Sequence, residues 1–180
     1  MFHTEGFVHA GSGIPFPATL VGFGQYVVVD EGDGVRVEYL LLRGGERVSV
    51  SVRVYPNPDV DPDEPKKRES TLQASASQSK RLDAIMQEIE ESGTDEEHRF
   101  VALYDVPIMR GELPYFGKKA FFRTKNERFA NTYLFEYGVW FVEYRTEFTR
   151  DLERHAEKFL TDHTWFDGDV SPGDQDGESL

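Results

Sequence analysis

The sequence predicts an α+β domain: a mostly antiparallel sheet ending in a three-stranded meander, with two amphipathic helices packed on it. Three observations carry this. Strand-like segments come in runs rather than alternating one by one with helices, which separates α+β from α/β architecture. Very short connections at Asn126-Glu127 and Tyr137-Gly138 force the segments on either side into antiparallel neighbours. Apolar residues also appear on both faces of several strands, so each face requires a cover.

Residues 11–24 mix glycine and proline with bulky apolar side chains, and regular structure is not expected there. Ile14, Phe16, Leu20 and Phe23 are suited to plug the edge of a core. A short strand follows over 26–30. Val35, Val37, Tyr39 and Leu41 then alternate with Arg36 and Glu38, the period-two pattern of a strand. Gly44-Gly45 supplies a hairpin turn, because both positions accept positive φ. Val48, Val50, Val52 and Val54 alternate with Ser49, Ser51 and Arg53, and the valine face must point into the core.

Residues 56–70 hold four prolines and many charges and read as a loop. A helix is expected over 71–91, with Leu72, Leu82, Ile85, Met86 and Ile89 on one stripe and Gly93 as its C-terminal cap. A strand over 100–106 is expected to close at Pro107, and 107–117 to form an irregular excursion. The meander covers 120–125, 128–136 and 139–148. Thr149 is the expected N-cap of a last helix running to about Asp162, with Leu152, Ala156, Phe159 and Leu160 as its apolar stripe. Residues 1–166 thus form one domain. Residues 167–180 carry five acids and no basic or aromatic residue, the composition of a disordered acidic tail.

The pattern resembles the PsbP-like fold, shared by extrinsic subunits of photosystem II, a Ran-binding nuclear import factor and many bacterial proteins. The resemblance lies in Ile14-Pro15-Phe16-Pro17 with Gly22-Phe23, in Val52-Arg53-Val54-Tyr55-Pro56, and in the segment from Tyr133 to Thr146 that leads into the last helix. It spans most of residues 11–166. It implies a protein that acts by binding, with no shared catalytic set to carry over. Many bacterial members bear export signals, and Met1–Ala10 has no positively charged start followed by an apolar run, so a cytoplasmic location is expected.

Composition narrows the chemistry. With 180 residues, 38% apolar, the chain is long enough to bury a core unaided. A net charge of −13 disfavours contact with nucleic acid or an anionic membrane, and no apolar run reaches membrane-spanning length. There is no cysteine, which excludes disulfides, thiolate metal sites and thiol nucleophiles. His155 and His163 stand eight positions apart, too far along a helix for shared metal ligation, and read as packing histidines. Asp59, Asp61 and Asp63, and Asp167, Asp169, Ser171 and Glu178, resemble calcium loops only in part, since each lacks the glycine of the turn. Gly22-Phe23-Gly24 leads into a strand, and Ser12 between two glycines lacks a strand–turn–helix setting, so neither suits a phosphate loop or a nucleophile elbow. No cofactor, metal or catalytic set is expected.

One feature invites a functional reading. Val139 and Phe141 are apolar, whereas Glu143, Arg145 and Glu147 on the same strand face are charged. Arg123 and Lys125 join that face if the register allows. These five residues are the candidate partner-binding patch, with the charged half expected to emerge into solvent. The ordinary alternative is a solvated strand end. The function expected from these readings is a non-enzymatic interaction protein, an assembly or chaperone-like factor with a protein partner. The competing expectation is a small-ligand receptor or enzyme with a pocket between the meander and residues 107–117, lined by Tyr104, Tyr115, Phe116 and Lys118.

Overall fold

The computed structural model describes residues 5–61, 76–91, 99–110, 113–123 and 128–163. At 90, 99–101, 104, 107–110 and 113–116 it describes the backbone alone. Residues 62–70 of the loop expected over 56–70, the first turn of the expected helix with Leu72, Gly93, Lys125 and the acidic tail lie outside the described residues.

The chain is α+β, and its sheet is antiparallel throughout. Strands β1 (Phe7–Val8) and β2 (Pro15–Phe16) form a small ribbon. The main sheet contains β3 (Thr19–Leu20), β4 (Phe23–Asp30), β5 (Val35–Arg43), β6 (Glu46–Pro56), β7 (Arg99–Arg110), β8 (Leu113–Arg123), β9 (Arg128–Tyr137) and β10 (Trp140–Thr149). Their spatial order is β3-β4-β5-β6-β10-β9-β8-β7. Two meanders are therefore joined back to back where β10 returns to pair with β6. Helix α1 (Ala76–Glu91) lies between β6 and β7 in the chain, and α2 (Glu153–Asp162) follows β10.

Gly44 and Gly45 sit at φ 60° and 85°, the left-handed geometry that lets the β5–β6 hairpin follow the strand twist. The valines of β6 are fully buried. They join Val35, Val37 and Tyr39 of β5, Tyr144 and Phe148 of β10, Phe135 of β9, and Ala156, Phe159 and Leu160 of α2 in the larger core. Ile14, Phe16 and Phe23 seal its edge, with Leu20 partly buried beside them. A second core lies on the opposite face, where Leu82 and Ile85 of α1 meet Ala120, Phe122, Leu134 and Phe141. Each helix thus covers one face. α1 packs against β8 and β9. Toward β4 and β5 the same face carries Arg36, Glu38 and the two-thirds-exposed Leu42.

Three local expectations change. Residues 107–110 and 113–117 are not an excursion but continue the paired strands β7 and β8, in which Pro107 pairs with Phe116 and Met109 with Pro114. Both prolines are tolerated for the same reason. β7 is an edge strand, and β8 pairs with β9 only from Lys118 onward, so neither proline owes a bond to a further neighbour. Thr149 stands at the N-cap of a short 3-10 turn rather than of the last α-helix, with extended backbone and no side-chain cap bond. A 3-10 turn over Arg150–Leu152 intervenes, and its buried Leu152 anchors the reversal onto the core. Finally, β2 and β3 lend regular pairing to the glycine- and proline-rich lead-in.

Candidate functional site

Directly opposed residues on antiparallel strands share a face, so the register arranges the side of the sheet that α1 covers in rows. One row runs Glu38, Ser51, Arg145, Thr132, Ala120 across β5, β6, β10, β9 and β8. The next runs Leu40, Ser49, Glu147, Ala130, Phe122. Small residues hold much of both rows: Ser49, Ser51, Ala130 and Thr132. Larger ones stand around them, and Ile89 of α1 overhangs. The result is a cavity of about 310 Å³ lined by Tyr26, Glu38, Arg47, Ser49, Ser51, Ile89, Phe122, Ala130, Thr132, Arg145 and Glu147, among others. Ligand sites begin at about this size.

Arg145 is held in place from below. Its Nε–H donates to the Glu143 carboxylate at 2.5 Å, and its Nη2 stands 3.9 Å from Glu88 of α1. Glu143 is 1% exposed and accepts a second hydrogen bond, 2.9 Å long, from the Tyr55 hydroxyl. The Tyr55 hydroxyl in turn accepts from Arg81 Nε at 3.0 Å, and Arg81 pairs with Glu88 at 3.0 Å. The guanidinium groups of Arg53 and Arg81 both lie over the Tyr55 ring, 5.0 and 5.2 Å from its centre. Burial, then the Glu143 charge, pushes the Tyr55 hydroxyl far above its ordinary pKa, so it stays a donor. This network ties α1 to β6 and β10 and aims Arg145 at the cavity.

The other charges are also arranged. Glu38 accepts from the Tyr26 hydroxyl at 2.6 Å and pairs with Arg36. Burial and that carboxylate push the Tyr26 pKa up to about 12. Glu147 pairs with Arg128 Nε at 2.6 Å, and Arg128 Nη2 donates to the Arg47 carbonyl at 3.0 Å. The Arg47 side chain is exposed and makes no hydrogen bond or ion pair with the described residues.

The five sequence-predicted residues therefore separate. Arg145 and Glu147 line the cavity. Glu143 does not emerge into solvent. α1 and Tyr55 cover it, and it serves as the buried counter-ion of Arg145. Arg123 is exposed but opposes Phe129, which opposes Phe148, so it lies on the α2 side of the sheet. Lys125 lies outside the described residues. Lys118, expected at another pocket, pairs with Asp105 at 2.8 Å, and the side chains of Tyr104, Tyr115 and Phe116 lie outside the description. Sequence reasoning missed Tyr26, Glu38, Arg47, Ser49, Ser51 and Thr132. The available signal was the run Ser49, Val50, Ser51. Its polar positions carry short hydroxyl side chains, where a plain solvated face favours long charged ones.

His163 belongs to the larger core. Its Nε2 lies 2.8 Å from the Pro15 carbonyl, which can only accept, so Nε2 carries the proton. Nδ1 then accepts from the Tyr144 hydroxyl at 2.7 Å. Burial lowers its pKa to about 4, with the hydrogen bond to the Pro15 carbonyl acting in the opposite direction. Among the described residues no group of His, Asp and Glu has the geometry to hold a metal ion, and no helix is long and apolar enough to cross a membrane. No protein-family model matches the chain, and no curated protein matches it.

Proposed function

We propose that this protein is a non-enzymatic interaction protein of the assembly or chaperone-like kind, and that its partner protein docks on the α1 side of the sheet with one group inserted beside Arg145. The observation that carries this is the anchored arginine. Glu143 fixes one edge of its guanidinium in the protein, and the rest faces a cavity floored by small side chains. An arginine so placed loses little freedom on contact and offers a flat, multidentate donor edge, a combination that interface hot spots favour. Both carboxylates of the cavity are engaged by Arg36 and Arg128, which supports recognition over acid–base chemistry. The resemblance to PsbP-like proteins points the same way.

Arg145→Glu is a poor test, because it would place a second carboxylate against the buried Glu143. Ser51→Leu, which fills the cavity, and Arg47→Glu, which reverses an exposed rim charge, leave that network intact. Affinity capture from native lysate, read by mass spectrometry, should lose the same specific proteins with both variants. Unchanged capture by both, with unchanged melting, would refute the reading. A small-ligand receptor is the second reading, favoured by the cavity volume. Under it, native mass spectrometry of the purified protein finds a bound small molecule that Ser51→Leu removes.

A further inference from the structure

We infer that the group accepted by this cavity is a carboxylate carried on a short apolar stem; the inference rests on the reading of the cavity as the recognition site. It follows from which hydrogen-bonding capacity is already used. Glu38 holds the Tyr26 hydroxyl and Arg36, and Glu147 holds Arg128. An entering ammonium group would have to compete with these cations and with the Tyr26 hydroxyl for both acids. The donors, by contrast, are largely unspent. To the described residues Arg145 gives only its Nε–H, since Glu88 at 3.9 Å from Nη2 is beyond hydrogen-bond reach. Arg47 gives none of its side-chain donors to the described residues, and the hydroxyls of Ser49 and Ser51 likewise have no partner among them. Two guanidinium groups with free edges and two free hydroxyls at one cavity call for an acceptor that takes several donors at once, as a planar carboxylate does.

Two further features refine the class. Glu38 and Glu147 still contribute their charge to the same space, so a second negative charge on the ligand is penalised and a monoanion is preferred to a phosphate dianion. Ile89, Phe122 and Ala130 form an apolar side to the cavity, which suits a short aliphatic stem next to the carboxylate. The same group is found on a free small acid and at the C-terminus of a peptide ending in an aliphatic residue.

The test is an amide-resolved NMR titration of the full chain with 4-methylpentanoate, and separately with 4-methylpentanamide, 4-methylpentylamine and isopentyl phosphate. The carboxylate should shift the amides of residues 49–51, 130–132 and 145–147, and should bind at least about tenfold more tightly than the isosteric amide. Arg47→Gln should weaken it several-fold, Arg47→Lys should retain part of that loss, and Ser51→Leu should abolish it. N-acetyl-Gly-Leu compared with its C-terminal amide then shows whether a peptide terminus delivers the group. Equal or tighter binding of the amide, amine or phosphate at the same amides overturns the carboxylate assignment while the site stands. No shift at those amides with any probe at millimolar concentration also overturns it. In that event, loss of protein capture by Ser51→Leu would show that the recognition surface survives without the carboxylate.

Discussion

Glu143 and Arg145 form a pair whose two members differ in exposure, with side chains 1% and 41% accessible. Removing Arg145 leaves the buried carboxylate with the Tyr55 hydroxyl as its one hydrogen-bond donor among the described side chains, and breaking such a pair costs on the order of 3 kcal/mol. Arg145→Met should therefore lower stability by about that much in urea denaturation, and adding Glu143→Gln should recover part of the loss. His163 gives a second prediction at this scale. Its folded pKa of about 4 lies below its ordinary 6.5, so the unfolded chain takes up the proton first as pH falls. The stability it contributes is complete above pH 6.5 and is lost as pH falls toward 4. Among the described residues it packs against the Phe16, Phe159 and Tyr144 rings, and this burial outweighs the Pro15 carbonyl, which favours the protonated form. His163→Gln keeps a donor for Pro15 and an acceptor for Tyr144. Between pH 6.5 and 4 the wild type should lose on the order of 3 kcal/mol more than this variant, measured by denaturation at each pH.

Strand β6 shows how one element serves two purposes. Its valines belong to the core beneath α2, and its serines floor the cavity on the other side. The alternation was legible, but the meaning of the serine face was not, because it depends on what β10 and β9 place beside it. Strand β8 carries a different constraint. Gly117 is buried against the Phe135 ring, and a Cβ built there would lie 2.3 Å from Phe135 Cε1 and 2.7 Å from the Leu134 carbonyl oxygen. Neither neighbour can retreat cheaply, since Phe135 is itself fully buried and the carbonyl is backbone. Gly117→Ala should cost about 2 kcal/mol, as overpacking in a filled core does, and should appear as a lower urea midpoint with an unchanged slope.

The whole molecule is a sheet with unequal covers. The α2 side holds the larger core, drawing on both meanders, the lead-in ribbon and the helix. The α1 side holds a smaller one, concentrated on β8, β9 and β10. Hydrogen exchange should show this asymmetry. Amides of β6 and β10, central in the sheet, should exchange only on global unfolding, whereas those of α1 should open at lower free energy. If α1 amides are protected as strongly as β6, the two cores unfold as one unit and the division fails. A ligand beside Ile89 that lends α1 a further contact should narrow the gap between them.

The α+β class, the β5–β6 hairpin, the buried valines, the sealing role of Ile14, Phe16 and Phe23, and the stripes of both helices were all written in short-range pattern. Alternation, paired glycines and helical spacing act over a few residues, so their consequences can be read locally. Arg123 was assigned a possible face that the register denied it, Glu143 a solvent exposure that α1 removed, and residues 107–117 an irregularity that an edge position made unnecessary. Each of these turns on which strand lies beside which. The cavity is the clearest case, since Glu38, Ser51, Arg145 and Thr132 come from four strands and lie between positions 38 and 145 of the chain. Only the closure of β10 onto β6 makes them neighbours, because a long-range pairing, unlike a turn or a stripe, leaves no mark in the residues next to it.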